Sequence, residues 1–136
     1  MKRTRLLSVV VAGAITLACI GCSDATDPGT RARFVFRDPV TNNVVRLEIT
    51  NAEGRNQAED LLRSGVAQWA IGTPRRGDGG FNGPWTWHID PASVTFAEVT
   101  IEACQTAASA IDDDLEYWIT FGQICIWGVV EGRLSP

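Results

Sequence analysis

Beyond residue 30 the apolar positions switch between a period of two and a period near 3.6. Residues 31–37 alternate, with Ala32, Phe34 and Phe36 on one face and Arg31, Arg33 and Arg37 on the other, which predicts a half-buried strand. Residues 38–43 (Asp-Pro-Val-Thr-Asn-Asn) carry turn chemistry. A second strand follows over residues 44–49, with Val45, Leu47 and Ile49 inward. Thr50-Asn51 offers a helix cap, and residues 52–63 have helical composition with Ala58, Leu61 and Leu62 as the apolar stripe; Ser64-Gly65 ends it. Residues 66–73 predict a third strand with Ala67, Trp69 and Ile71 on one side.

Residues 74–84 hold Arg75, Arg76 and four glycines, the composition of a long mobile loop. A fourth strand is expected over residues 85–90: Trp85, Trp87 and Ile89 share one face, and Thr86, His88 and Asp90 the other. After the turn at residues 90–93, residues 94–104 read as one long fifth strand. Its apolar parity flips between Phe96 and Val99, as a β-bulge near Ala97-Glu98 would cause. A second helix is expected over residues 105–117. Residues 124–130 are apolar on both faces, as in a central strand. The order ββαβββαβ implies a two-layer α+β domain: a mostly antiparallel sheet with two helices on one face.

The first 22 residues follow another pattern. A basic start (Lys2, Arg3, Arg5) precedes an apolar run from Leu6 to Ile20, then Gly21-Cys22-Ser23. That is an export signal of bacterial type. At 1.5 Å per residue the run reaches about 22 Å, short of the roughly 30 Å of a membrane's hydrocarbon core, so a permanent span is not expected. Cys19-Ile20-Gly21-Cys22-Ser23 resembles a lipobox, with Cys19 where Leu is usual. Lipidation at Cys22 is the reading adopted; ordinary cleavage after Ala25 stays open as the other route. The organisation expected is a signal at 1–22, a flexible tether at 23–30 and a single domain at 31–136. The chain is then secreted to the cell envelope or beyond, and touches a bacterial membrane only through its lipid.

Beyond residue 22 there are nine Arg, no Lys and sixteen acidic residues, a net charge of −7. Such a surface repels phosphate backbones, so nucleic acid is not an expected partner. The cysteines left are Cys104 and Cys125. An even count in an oxidising compartment favours a disulfide, with a metal site or free thiols as the alternatives. No further soft ligands stand beside either cysteine.

The run Trp85-Thr86-Trp87-His88-Ile89-Asp90-Pro91 fits the pattern Trp-x-aromatic-His-aliphatic-Asp-Pro. Phe96, then Glu102 and Cys104, and finally Cys125-Ile126-Trp127 follow it in order. Together with Arg33-Phe34-Val35-Phe36 and the helix around Ala58 to Leu62, these residues resemble the N-terminal domain family of the social-amoeba calmodulin-binding proteins. That module is found also in bacterial secreted proteins. The resemblance covers roughly residues 31–134. Gln105 and Ile126 depart from it, standing where Asp and Pro are frequent. It implies a fold and a disulfide and carries no catalytic residue across. Calmodulin binding is not expected of a bacterial lipoprotein.

Two functions are compatible with these residues. The first is a non-enzymatic binding or interaction domain, inhibitor-like, that recognises a protein or surface ligand as a monomer. Arg75 and Arg76 on the loop, with His88 and Asp90 beside it, are its binding candidates. The second is a small hydrolase or metal-dependent enzyme centred on His88, with Asp90 on its face and Glu98 and Glu102 on the neighbouring strand. A deep polar pocket converging on His88 would favour the enzyme; a smooth sheet with a protruding loop would favour binding. No residue set specifies a reaction, and neither a cofactor nor a resident metal is expected. The acidic run Asp112-Asp113-Asp114 lacks the spacing of a calcium loop and reads as a solvated helix face.

Overall fold

The computed structural model describes residues 30–135. The signal, Cys22 and the tether up to residue 29 lie outside the described residues. Strands β1 (Ala32–Arg37) and β2 (Val44–Ile49) form an antiparallel hairpin in which Phe34 faces Leu47. As the alternation predicts, Ala32, Phe34, Phe36, Val45, Leu47 and Ile49 are all buried. Asp38 shapes the turn by accepting hydrogen bonds from the Val40 amide (2.8 Å), the Thr41 amide (3.2 Å) and the Thr41 hydroxyl (2.7 Å).

Helix α1 spans Ala52–Ser64. The Asn51 side chain accepts from the Gly54 amide at 2.6 Å and donates to the Val94 carbonyl at 2.8 Å, so one residue caps the helix and anchors it to the sheet. Gly65 ends α1 in the left-handed region (φ 67), where glycine is the cheapest residue. The chain continues through β3 (Gln68–Gly72), β4 (Pro74–Arg76), β5 (Trp87–Ile89) and β6 (Thr95–Ala97). A 3-10 turn at Glu102–Cys104, the short β7 (Gln105–Thr106), helices α2 (Ala108–Asp113) and α3 (Leu115–Phe121), and β8 (Ile124–Leu134) complete it. The main sheet has the order β2-β1-β8-β3-β6 with antiparallel neighbours, and β7 pairs β8 in parallel. β4 and β5 form a separate hairpin. The domain is α+β with a mostly antiparallel sheet and one disulfide, Cys104–Cys125, whose Cα atoms lie 5.1 Å apart.

One core joins the inner sheet face, α1, the β4–β5 hairpin and the buried side of α2. Trp87, Phe34, Phe36, Leu47, Ile49, Ile89, Ile111, Ile124 and Ile126 are its largest buried side chains. Each contributes on the order of 1.5–3 kcal/mol of hydrophobic stabilisation. Both sheet edges are closed by side-chain amides. Gln57 of α1 donates to the Phe96 carbonyl (3.2 Å) and accepts from the Phe96 amide (2.9 Å) on β6. Asn82 accepts from the Arg46 amide (2.8 Å) on β2. An open edge offers unpaired backbone groups to other chains, and these contacts remove that opportunity.

Three expectations are corrected. The long fifth strand at 94–104 does not form: β6 ends at Ala97, and Val99 and Ile101 are 82% and 61% exposed. The parity flip marks the end of a strand, not a bulge. β6 lies outside β3, whereas β7 lies on the far side of β8, so residues 98–104 must cross the sheet between them. The disulfide holds that crossover on the face that bears Cys125. Next, the single helix at 105–117 is two helices, making three in all. Asp114 leaves helical geometry (φ −140, ψ 60), and its carboxylate accepts from the Tyr117 amide at 3.4 Å. Short acidic side chains favour such caps over helix interiors. Finally, the loop at 74–84 begins as strand β4 and is tied down throughout. Its buried Asn82 also donates to the Trp87 carbonyl at 2.9 Å, and the Arg46 guanidinium donates to the Gly83 carbonyl at 2.8 Å.

Candidate functional site

The sheet face opposite the core carries Trp69 of β3 and Trp127 of β8, directly paired across the two strands. Strand alternation puts them there because Ala70 and Ile126, one residue away, point into the core. Both tryptophans are half-buried. Their rings meet edge to face, with centroids 5.3 Å apart and planes at 60°. Beside Trp127, Gly128 allows the sheet to pack tightly. A Cβ there would come within 2.6 Å of the Arg37 carbonyl oxygen and 2.7 Å of the Phe36 ring.

The two tryptophans lie in a cleft of about 660 Å³. Its origin is topological. One side of β8 pairs with β7 at Cys125 and Ile126, and with β1 from Val129 onward. Residue 127 falls where one neighbour has ended and the other has not begun. The β1–β2 turn (Asp38, Val40, Thr41) forms one wall; Glu98 from the crossover and Gln105, Thr106 and Ala107 form the other. The size is that of a small-molecule site, and the mixture of aromatic walls with a few polar groups is usual for one. Partial burial acts to raise the pKa of Asp38, but the Thr41 hydroxyl and the Val40 and Thr41 amides outweigh it and hold the carboxyl below its usual range. Asp38 is therefore a fixed anion at the rim.

The residues singled out from sequence lie elsewhere. Arg75 pairs with Asp90 (Nη2 to Oδ2, 2.8 Å), and this hydrogen-bonded guanidinium is the main cause that lowers the Asp90 pKa. Arg76 pairs with Glu116 of α3 at 2.5 Å, which lowers the Glu116 pKa and raises that of Arg76. Both arginines thus brace the β4–β5 hairpin. His88 is half-buried, with Nδ1 2.7 Å from the Gly77 carbonyl oxygen and its ring edge-on to Phe81 at 5.4 Å. Trp87 and Ile89 are buried and Trp85 packs partly against the core, as the alternation predicts. Glu98 and Glu102 are not on a strand next to His88, because β5 pairs with β4 while β6 pairs with β3. Among the described residues no group of three or more His, Cys, Asp or Glu could hold a metal ion.

Sequence reasoning missed the tryptophan cleft. A signal was available: Trp127 lies two residues from Cys125, so it shares the face on which the disulfide sits.

The family model for the N-terminal domain of the social-amoeba calmodulin-binding proteins matches residues 30–135. The chain belongs to that family. The match spans every strand and helix described above, both cysteines of the disulfide and both cleft tryptophans. No curated protein and no solved structure matches the chain.

Proposed function

We propose that this member of the family is exported, lipid-anchored through Cys22, and acts as a non-enzymatic binding module whose ligand enters the Trp69–Trp127 cleft. The observation that carries the reading is the cleft itself. It is preformed, of ligand size, and walled by two aromatic rings with polar groups at the rim. Location is supported by the Ile20-Gly21-Cys22 run, by the polar stretch between Cys22 and β1, and by a disulfide of the kind that persists outside a reducing cytoplasm. No helix among the described residues is long and apolar enough to cross a membrane. The enzyme reading loses its basis where His88 stands apart from Glu98 and Glu102, with Asp90 engaged by Arg75.

The test presents the mature chain with a panel of small cationic, neutral and anionic ligands in thermal melts, and with chromogenic ester and phosphate substrates. A ligand that raises the melting temperature without turnover is the expected result. Turnover that disappears in His88→Ala would overturn the proposal. For the anchor, intact mass of the membrane-extracted protein should show lipid on a chain beginning at Cys22; an unmodified chain beginning at Thr26 would remove that part.

A further inference from the structure

Resting on the reading of the cleft as a binding site, we propose that it takes a small organic cation: a rounded ammonium head on an apolar body, free in solution. Charge is the first argument. Asp38 and Glu98 line the cleft, and no arginine does. Glu98 is exposed and takes part in none of the ion pairs among the described residues. Asp38 is held in place by its own turn. Two carboxylates in a concave site raise the local concentration of cations and disfavour anions.

Shape is the second argument. Tryptophan faces attract cations placed within about 6 Å of the ring centroid. Rings at 60° with centroids 5.3 Å apart form a corner, not a platform. A corner wraps a tetrahedral alkylammonium group on two sides, whereas the flat face of a pyranose stacks best on a single exposed ring. The volume of about 660 Å³ suits an organic molecule and far exceeds what an inorganic ion fills. A lipid headgroup of the phosphocholine kind carries a phosphate next to its ammonium. That phosphate would meet Asp38 and Glu98, so the same cation without an adjacent anion is the better ligand.

The experiment titrates the full mature chain, followed by tryptophan fluorescence, with choline, its uncharged isostere 3,3-dimethylbutan-1-ol, phosphocholine and cellobiose. Choline should bind at least about tenfold more tightly than the isostere and more tightly than phosphocholine. Added salt should weaken it. Trp127→Ala should abolish the response. Glu98→Gln, a change at an exposed residue that leaves the core untouched, should weaken choline severalfold and leave the isostere unchanged; this arm holds even if Trp127→Ala fails to fold. An isostere or phosphocholine that binds as well as choline would overturn the inference. So would silence towards all four probes. Cellobiose binding lost in Trp127→Ala, with choline silent, would also overturn it while leaving the binding-module reading intact.

Discussion

Trp87 offers a test of how this core is built. Its side chain is fully buried, yet its indole Nε1 has no hydrogen-bond partner. Truncation to alanine removes the largest side chain of the core, and Trp87→Ala should cost about 3–5 kcal/mol. Phenylalanine separates two opposing effects at the same position. The atoms lost amount to roughly two methylenes, about 1.6 kcal/mol of hydrophobic stabilisation. Against this, deleting an unpaired buried N–H returns about 1–3 kcal/mol of desolvation cost. The two nearly cancel, so Trp87→Phe should lie within about 1 kcal/mol of the native protein. A domain of this size moves by about 4–8 °C per kcal/mol. Thermal melts followed by far-UV circular dichroism should therefore place the Phe variant within about 8 °C of native and the Ala variant at least about 12 °C below it. A Phe variant as damaged as the Ala variant would show that the indole N–H is satisfied and the reasoning wrong.

Three further outcomes are expected. Asn82→Ala leaves the Arg46 amide and the Trp87 carbonyl without their partner and should cost about 2–4 kcal/mol in urea unfolding; a loss below about 1 kcal/mol would show that water replaces the amide. Reducing the Cys104–Cys125 bond frees a loop with a sequence separation of 21 and should lower stability by about 3 kcal/mol, read as the shift between melts with and without a phosphine reductant; coincident melts would refute it. Asp38, Asp90 and Glu116 all have pKa values lowered in the folded state, so their contribution is complete above the ordinary carboxylate pKa and is lost as pH falls through about 4 and below. Unfolding free energy should decline with acid in that window, and Asp90→Asn should flatten the decline; a profile as steep in Asp90→Asn as in the native chain would remove Asp90 from the account.

Where burial alone decides a residue's fate, the sequence was readable. The alternation in β1 and β2 and the cap-to-glycine frame of α1 reappear in the structure because each is a local pattern that one buried face enforces. The failures share another cause. Ile101 and Val99 look like strand residues, yet the crossover to β7 leaves them exposed. The acidic run at 112–114 looks like a helix face, yet Asp114 breaks the helix in two. In both cases a long-range demand outweighed local propensity: the route from β6 to β7 in one, the start of a new helix in the other.

The site shows the same division more sharply. The glycine-rich stretch with two arginines looked like a recognition loop, but its groups serve the fold. Asn82 closes the β2 edge, Arg75 and Arg76 brace the hairpin, and Phe81 lies under the Arg33 guanidinium at 5.6 Å. The cleft, by contrast, is built from residues that carry no motif. Trp69 and Trp127 are 58 positions apart in sequence and meet only because β3 pairs β8 in one register. A shift of that register by one residue would send both rings into the core and bring Ala70 and Ile126 out. The cleft also needs β7 to stop at Thr106 and β1 to leave the sheet at Arg37. Neither boundary is set by the residues that line it. The disulfide pins the first, and the Asp38 turn fixes the second. The chemistry of this surface is thus a property of strand order, which explains why charged side chains on a loop drew attention first and why the aromatic corner emerges only from the assembled sheet.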